Sequence, residues 1–153
     1  MLKFGEELVL IDQSASTAEE IIATLADRLY ANGLVCAGYG ADTIKREQDH
    51  PTGLPTKPFC IAFPHADAEG VVESALAYAK LKEPVIFKNM ADPEEGLEVW
   101  MVFILANKSP EEQIEVLRNL SLLFSDSSKL IELRELVTSR DAAAWLKREL
   151  RLS

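Results

Sequence analysis

The chain has 153 residues, a formal net charge of −9 at pH 7, and a composition that is 48% hydrophobic and 27% charged. This length and composition predict one domain over residues 1–153, and two cysteines are too few for a disulfide framework, which favours the reducing cytoplasm. The negative charge argues against nucleic acid and anionic membranes as partners, and no apolar run is long enough to cross a membrane.

The first third of the chain predicts a strand and two helices. Residues 8–11 are apolar and short enough for an edge strand. Thr17 and Glu20 then have the spacing of a capping box, in which the hydroxyl and the carboxylate bind backbone amides at a helix start. Five apolar residues follow at helical spacing, and Gly33 is placed to end that helix. A shorter helix is expected over about residues 41–48.

The middle of the chain predicts a loop followed by strands. Residues 49–58 contain three prolines and a glycine, so we expect no regular structure there. The loop leads into a buried strand over residues 59–63. Residues 74–87 alternate as strands do, although their alanines would also suit a helix, and we favour strands. Residues 99–106 are uniformly apolar, which is typical of a central strand covered on both faces.

The last third of the chain predicts helices. Ser109 and Glu112 have the spacing of a second capping box, with Pro110 at the first helical position. The helix that follows is expected to bury a stripe made of Ile114, Leu117, Leu120 and Phe124. Two more helices are expected over residues 129–137 and 141–151. Strands buried on both faces and mixed with amphipathic helices predict an α/β fold, in which a mixed sheet is sandwiched by helices.

His65 stands directly after a predicted buried strand, in the segment CIAFPHADAEGV. Pro64 restricts the backbone before it, and the strand end would hold the ring while leaving it reachable by a partner. A neutral imidazole is a nucleophile without the help of a base. The plainer alternative is a histidine that only hydrogen-bonds a nearby carboxylate such as Asp67, and spacing alone favours that alternative.

Arg46 lies on the predicted short helix just before the proline-rich loop. A guanidinium there could bind phosphate oxygens through two hydrogen bonds. A solvated arginine paired with Asp42, one helical turn earlier, is the more common arrangement. His50, Thr52 and Thr56 lie in the loop, and the threonine hydroxyls could bond either loop backbone or an oxyanion.

A metal site is a competing interpretation of the same region. Several residues there are of types that bind metals, namely His50, Cys60, His65 and Asp67. No metal-binding spacing such as HExxH or CxxC is present, and no segment resembles the nucleophile turn of a hydrolase. The sequence also has no GxGxxG motif and no Walker loop. We therefore expect no metal and no cofactor.

The stretches KREQDHPTGLPT and IAFPHADAEGV together resemble the phosphotransferase-system (PTS) sugar enzyme IIA family of the fructose/mannitol type. In that family an Arg-Glu helix leads into a Thr/Gly loop and then into Ile-Ala-x-Pro-His. Here those elements are Arg46-Glu47, Thr52-Gly53, Ile61-Ala62 and Pro64-His65. The resemblance covers nearly the whole chain, and HPTGLPT looks most like the galactitol-specific branch.

The resemblance implies that His65 is phosphorylated on Nε2 and that the protein carries the phosphoryl group between two partners. The donor would be the phosphohistidine of the small protein HPr. The acceptor would be a cysteine of the cognate enzyme IIB, with the membrane component IIC involved only indirectly. Arg46 would supply positive charge and Thr52 a hydrogen bond to the phosphoryl group. Asp67 or a backbone carbonyl would accept the other ring N–H and leave Nε2 free.

The sequence departs from the family pattern in three places. Phe63 stands where an aliphatic residue is usual, and a glycine often found before Ile61 is absent; neither touches the chemistry. Mannitol-type members carry a second active-site histidine early in the helix after the central strand, where this chain has Gln113. Gln113 can donate a hydrogen bond but supplies no charge, which leaves Arg46 to neutralise most of the phosphate charge. His50 would substitute only if its loop folded over the site.

Three functions stay open from the sequence. The leading one is uptake of galactitol or a related polyol, with this chain as a cytoplasmic phosphoryl carrier. The second keeps the fold but makes the chain a regulatory module, whose phosphorylation controls transcription or nitrogen-related signalling. The third is a binding domain in which His65 is inert.

Overall fold

A five-stranded mixed sheet forms the centre of the protein in a computed structural model that describes residues 1–152 and, for Pro110, the backbone alone. In chain order its strands are β1 (Val9–Gln13), β2 (Gly53–Leu54), β3 (Cys60–Ala62), β4 (Ala75–Lys88) and β5 (Gly96–Ala106). Ser153, the last residue of the predicted domain, lies outside the described residues. The sheet order is β1-β4-β5-β3-β2, so β1 lies at an edge and β5 in the middle. Both positions confirm the sequence predictions.

Parallel pairing brings the ends of two strands to the same edge of the sheet. β3 runs parallel to β5, with Ala62 paired to Val102, and β1 runs parallel to β4. β4 and β5 form a long antiparallel hairpin, and the two-residue β2 pairs antiparallel with β3. The carboxyl ends of β3 and β5 therefore lie side by side, and the residues that follow them emerge at one edge.

Five α-helices cover the two faces of the sheet within the described residues. They are α1 (Ala18–Ala31), α2 (Tyr39–Asp49), α3 (Ile114–Phe124), α4 (Ser127–Glu135) and α5 (Ser139–Leu150). Side chains of β5 alternate between the faces: Val102 and Ile104 pack with α1 and α2, whereas Phe103 and Leu105 pack with α3, α4 and α5. This burial confirms the predicted α/β fold, a mixed sheet sandwiched by helices. No helix in the described part of the chain combines the length and apolarity needed to cross a membrane.

The two ends of α1 explain why the sequence predicted this helix well. Thr17 accepts a hydrogen bond from the amide of Glu20 at 3.2 Å, as a capping residue does. The Glu20 carboxylate binds the amide of Ser16 at 3.1 Å instead of that of Thr17, so the box is one residue wider than predicted. Gly33 has φ of 73°, a left-handed conformation that suits glycine just after a helix.

The prediction that residues 49–58 lack regular structure was wrong at two points, and the first is Asp49, which is the last residue of α2. Gly53 and Leu54 pair with Ala62 and Ile61 and form the short strand β2. A two-residue strand in a proline-rich segment leaves almost no periodic signal, because period 2 needs several residues to be recognised.

The predicted start of the helix that follows the central strand was also wrong. Ser109 makes no side-chain cap to the backbone, and its hydroxyl instead donates to the carboxylate of Glu111 at 2.9 Å. The chain passes through a short 3-10 helix, Pro110–Gln113, before α3 begins. A 3-10 helix has fewer residues per turn than an α-helix. A 3-10 segment before α3 therefore changes which side chains of α3 face the sheet.

The buried stripe of α3 differs from the predicted one for that reason. Leu120 and Leu123 are buried against the sheet, whereas Ile114 is 59% exposed and Leu117 is 37% exposed. The predicted Phe124 is half-buried. The first turn of α3 therefore presents apolar side chains to solvent.

Candidate active site

His65 lies three residues after the end of β3, at the edge of the sheet where that strand emerges. Its Nδ1 lies 3.3 Å from the carbonyl oxygen of Phe63. A carbonyl oxygen only accepts hydrogen bonds, so this contact requires the proton on Nδ1 and leaves the lone pair on Nε2. Pro64, between the two residues, is buried and restricts the turn. A backbone carbonyl, one of the two predicted partners, thus selects the nitrogen that is free to react.

The His65 cavity is a mostly apolar opening of about 220 Å³. Its lining consists of Phe63, His65, Ala66, Leu105, Asn107 and Leu117. His65 is half-buried, and its ring centroid lies 6.4 Å from that of Phe63. A half-buried imidazole in an open cavity is held in place and can still meet a reacting group presented by another molecule.

A second cavity of about 360 Å³ is lined by Arg46 and is called the Arg46 cavity. Ala66 lines both this cavity and the His65 cavity, which shows that the two are neighbours. Arg46 stands in the last turn of α2, and its Nη1 lies 3.4 Å from Oδ1 of Asp67. It therefore pairs with Asp67, two residues after His65, and not with Asp42. The Nε of Arg46 is buried and has no hydrogen-bond partner among residues 1–152. The guanidinium thus lies against the segment that carries His65 with a donor unused.

Glu47, the next residue on α2, ties that helix to the loop before β3. Its carboxylate accepts hydrogen bonds from the Thr52 hydroxyl at 2.6 Å and from the Thr52 amide at 2.8 Å. Burial raises the pKa of Glu47, and the bonds from Thr52 oppose part of that shift. Thr52 is itself buried and lines neither cavity. Its hydroxyl proton is directed at Glu47, so Thr52 holds the loop against α2.

Three other polar candidates lie apart from the His65 cavity. Gln113 is buried and lines a different cavity of about 480 Å³. His50 is exposed and lines the Arg46 cavity, and Thr56 donates its hydroxyl to a loop carbonyl at 2.7 Å. Within the described residues, no three His, Cys, Asp or Glu side chains are arranged to hold a metal ion.

The structure thus places Arg46 against Asp67, two residues after His65, and the Arg46 and His65 cavities adjoin at Ala66. Sequence reasoning missed two residues of the His65 cavity, Asn107 directly after β5 and Leu117 on α3. A polar residue at the end of a buried central strand was the signal available for Asn107. The parallel pairing of β5 with β3, which places Asn107 beside His65, leaves no trace in sequence periodicity.

The sequence matches a known protein family over almost its whole length. The family model is described as "Phosphoenolpyruvate-dependent sugar phosphotransferase system, EIIA 2", and it matches residues 3–149. The chain belongs to this family. The match confirms the resemblance to the PTS enzyme IIA family of the fructose/mannitol type.

Two curated relatives of this EIIA 2 domain carry different names. The transcriptional regulator ManR of Bacillus subtilis (strain 168) is 33% identical over 125 residues, which cover 82% of this chain and 17% of that protein. The PTS system galactitol-specific EIIA component of Escherichia coli (strain K12) is 29% identical over 99 residues, which cover 65% of each chain. The matched part thus spans less than two thirds of either relative.

A solved structure has the same fold as this EIIA 2 domain. In the complex of enzyme IIAMTL and phosphorylated enzyme IIBMTL from Escherichia coli, one chain matches with a TM-score of 0.74 and 24% identity, covering 99% of both chains. At this identity the likeness concerns the fold alone.

Proposed function

We propose that this EIIA 2 domain is a phosphoryl carrier of a sugar phosphotransferase system. It accepts a phosphoryl group from phospho-HPr on His65 and passes it to a cysteine of the cognate enzyme IIB. The observation that carries the proposal is the contact of His65 Nδ1 with the Phe63 carbonyl, which leaves Nε2 without a proton beside an open cavity. The proposed substrate of the transport system is galactitol or a related polyol, and the proposed location of this chain is the cytoplasm.

The proposed transfers need no external base. The Nε2 lone pair attacks the phosphorus of the donor phosphohistidine, and the old N–P bond breaks with its electron pair returning to the donor ring. His65 keeps the proton on Nδ1 throughout, so no proton has to move. In the second step a cysteine thiolate of enzyme IIB attacks the same phosphorus, and the electron pair of the breaking bond returns to Nε2.

Arg46 is the proposed source of positive charge for both transfers. Phosphoryl transfer depends mainly on positioning and on neutralising the charge of the phosphoryl oxygens. The pair of Arg46 with Asp67 is weak, because the Asp67 side chain is 85% exposed, so a phosphoryl oxygen can replace the carboxylate. Asp67 then keeps the guanidinium near His65 until the phosphoryl group arrives. Thr52, through Glu47, fixes the end of α2 that carries Arg46.

The relatives support a role in transport. The galactitol-specific component is named as part of a PTS, and the enzyme IIAMTL of the solved complex is bound to phosphorylated enzyme IIBMTL. We infer from them that enzyme IIB is the acceptor here and that a membrane component IIC is served only through IIB.

A regulatory role is the second candidate, and one relative favours it. ManR is named a transcriptional regulator, and its match covers 82% of this chain. The same chemistry at His65 would serve there, with phosphorylation changing the activity of a regulator. Transfer to enzyme IIB separates the two roles, because a carrier gives its phosphoryl group to the IIB cysteine.

Incubation with labelled phosphoenolpyruvate, enzyme I and HPr tests the proposal. We expect acid-labile phosphate on the chain, loss of that label in His65→Ala, and movement of the label onto a cysteine of enzyme IIB. His50→Ala is the matched control, because His50 is the other of the two histidines in the sequence and lies outside the His65 cavity. Label that persists in His65→Ala would place the phosphate elsewhere and refute the assignment. Label on His65 that never reaches enzyme IIB would favour the regulatory role.

A further inference from the structure

Asn107 lies beside His65 because of the way two strands pair. β3 and β5 run parallel, with Ala62 opposite Val102, so their carboxyl ends share one edge of the sheet. Asn107 is the first residue after β5, and both it and His65 line the His65 cavity. The backbone next to Asn107 is held in place, since the amide of Lys108 donates to the hydroxyl of the buried Ser74 at 2.9 Å.

Asn107 is an unusual residue for the place it occupies. The rest of the cavity lining besides His65 is apolar, so an apolar side chain would fit the position. The side chain of Asn107 is half-buried, and its Oδ1 is buried without a hydrogen-bond partner among the described residues. A buried amide oxygen left unpaired lowers stability. Nothing in the fold of the described residues explains this cost, which suggests that the amide serves the chemistry of His65.

We propose that Asn107 is a catalytic residue that donates a hydrogen bond from Nδ2 to an oxygen of the phosphoryl group on His65 Nε2. The inference deepens the proposed carrier function and rests on it. Phosphoryl oxygens only accept hydrogen bonds, so the amide has to present Nδ2 to the cavity and keep Oδ1 turned away. The burial of Oδ1 away from solvent agrees with this orientation.

This arrangement divides the work of holding the phosphoryl group between two residues. Arg46 approaches through the neighbouring cavity and supplies charge, whereas Asn107 supplies a neutral donor from inside the His65 cavity. Gln113, the neutral donor expected from the sequence, lines a different cavity. Asn107 therefore takes the place that the resemblance assigned to Gln113.

The test compares Asn107→Leu and Asn107→Asp with the wild-type chain after phosphorylation by phosphoramidate, a small donor that needs no partner protein. Leucine has a similar size but no donor, and aspartate replaces the donor with a charged acceptor. Asn119→Leu is the matched control, because Asn119 is also half-buried but donates to the carbonyl of Leu150 and lies outside the His65 cavity.

The measurements are the pKa of the phosphoryl group from a ³¹P NMR titration and the side-chain amide signal of Asn107 in wild-type protein. We expect Asn107→Leu to raise the phosphoryl pKa by about one unit, a tenfold change in proton affinity, because a donor to the dianion is lost. Asn107→Asp should raise it further, and Asn119→Leu should leave it unchanged. The amide signal of Asn107 should shift on phosphorylation of wild-type protein, and this readout does not depend on the folding of any variant.

The outcomes separate this inference from the carrier function. If Asn107→Leu titrates like Asn119→Leu and the wild-type amide signal stays in place, the role of Asn107 is refuted, whatever happens with HPr. If phosphoramidate labels His65 but phospho-HPr does not, the carrier function fails while the ³¹P titration still decides the role of Asn107. If neither donor labels His65, both are refuted, because Asn107 then has no phosphoryl group to bind.

Discussion

Arg46→Gln should slow phosphoryl transfer strongly while leaving the fold almost as stable as before. The substitution removes the guanidinium that pairs with Asp67 at 3.4 Å and keeps a side chain of helix-forming character in the last turn of α2. In the proposed function this guanidinium neutralises the phosphoryl oxygens on His65.

The structure gives the two magnitudes that decide the expected result. The Arg46–Asp67 pair is long and has exposed fractions of 39% and 85% for its two side chains, so its loss should cost at most about 0.5 kcal/mol of unfolding free energy. A hydrogen bond to a charged phosphoryl oxygen is worth roughly 1.5–3 kcal/mol, which corresponds to a transfer rate slower by a factor of about 10–150.

Rapid-quench measurement of single-turnover transfer from phospho-HPr, together with urea unfolding, gives both quantities. Lys45→Gln is the matched control, because it removes the same charge from the neighbouring residue of α2, and its rate should change far less. Arg46→Lys should recover part of the rate, since it restores the charge without the forked geometry. An unchanged rate in Arg46→Gln, or a slower rate that matches a general loss of stability, would refute the assignment of Arg46.

Three further predictions concern the elements that support the site. Gly33→Ala should destabilise the protein by about 1 kcal/mol in urea unfolding, because φ is 73° and nothing lies within 4 Å of the new methyl group; an equally stable variant would contradict this. Lys80→Met should cost roughly 2 kcal/mol, because the buried Lys80 Nζ donates to the Arg134 and Leu136 carbonyls at 2.9 and 2.7 Å, whereas the exposed control Lys82→Met should be neutral. Glu47→Gln removes the carboxyl group whose pKa is raised, so the difference in stability between wild type and variant reports on that group. As pH rises from 4.5, the ordinary pKa of a glutamate carboxyl, to the raised pKa of Glu47 in the folded protein, Glu47 ionises in the unfolded chain while it stays protonated in the folded one. The stability of the wild type should therefore fall relative to the variant as pH rises through this range, and then level off. Parallel stability curves for the two proteins would argue against this.

The fold was largely predictable because its signals are local. The apolar run at residues 99–106 is uniform and of strand length, as expected for a strand covered on both faces, and it lies in the middle strand of the sheet. Thr17 and Gly33 mark the two ends of α1 through capping and a left-handed turn. The failures came where local rules compete, as in the 3-10 turn before α3 that moved the buried stripe away from Ile114 and Leu117.

The candidate site was less predictable because it depends on contacts between distant segments. His65 could be singled out from its position after a strand and from the family motif. The partner of its Nδ1 is a carbonyl two residues away, and a backbone acceptor carries no sequence identity. Arg46 pairs with Asp67 across 21 positions of sequence, so the helical rule pointed to Asp42 instead. Asn107 came to the site only through the parallel pairing of β3 and β5.

Nitrogen NMR of the His65 ring, before and after phosphorylation, tests the central claim most directly. The geometry predicts that the neutral ring carries its proton on Nδ1, held by the Phe63 carbonyl, and that the phosphorus is later coupled to Nε2. A proton found on Nε2, or a phosphorus coupled to Nδ1, would contradict the mechanism, because the nitrogen assigned to the reaction would then not be the one that is free.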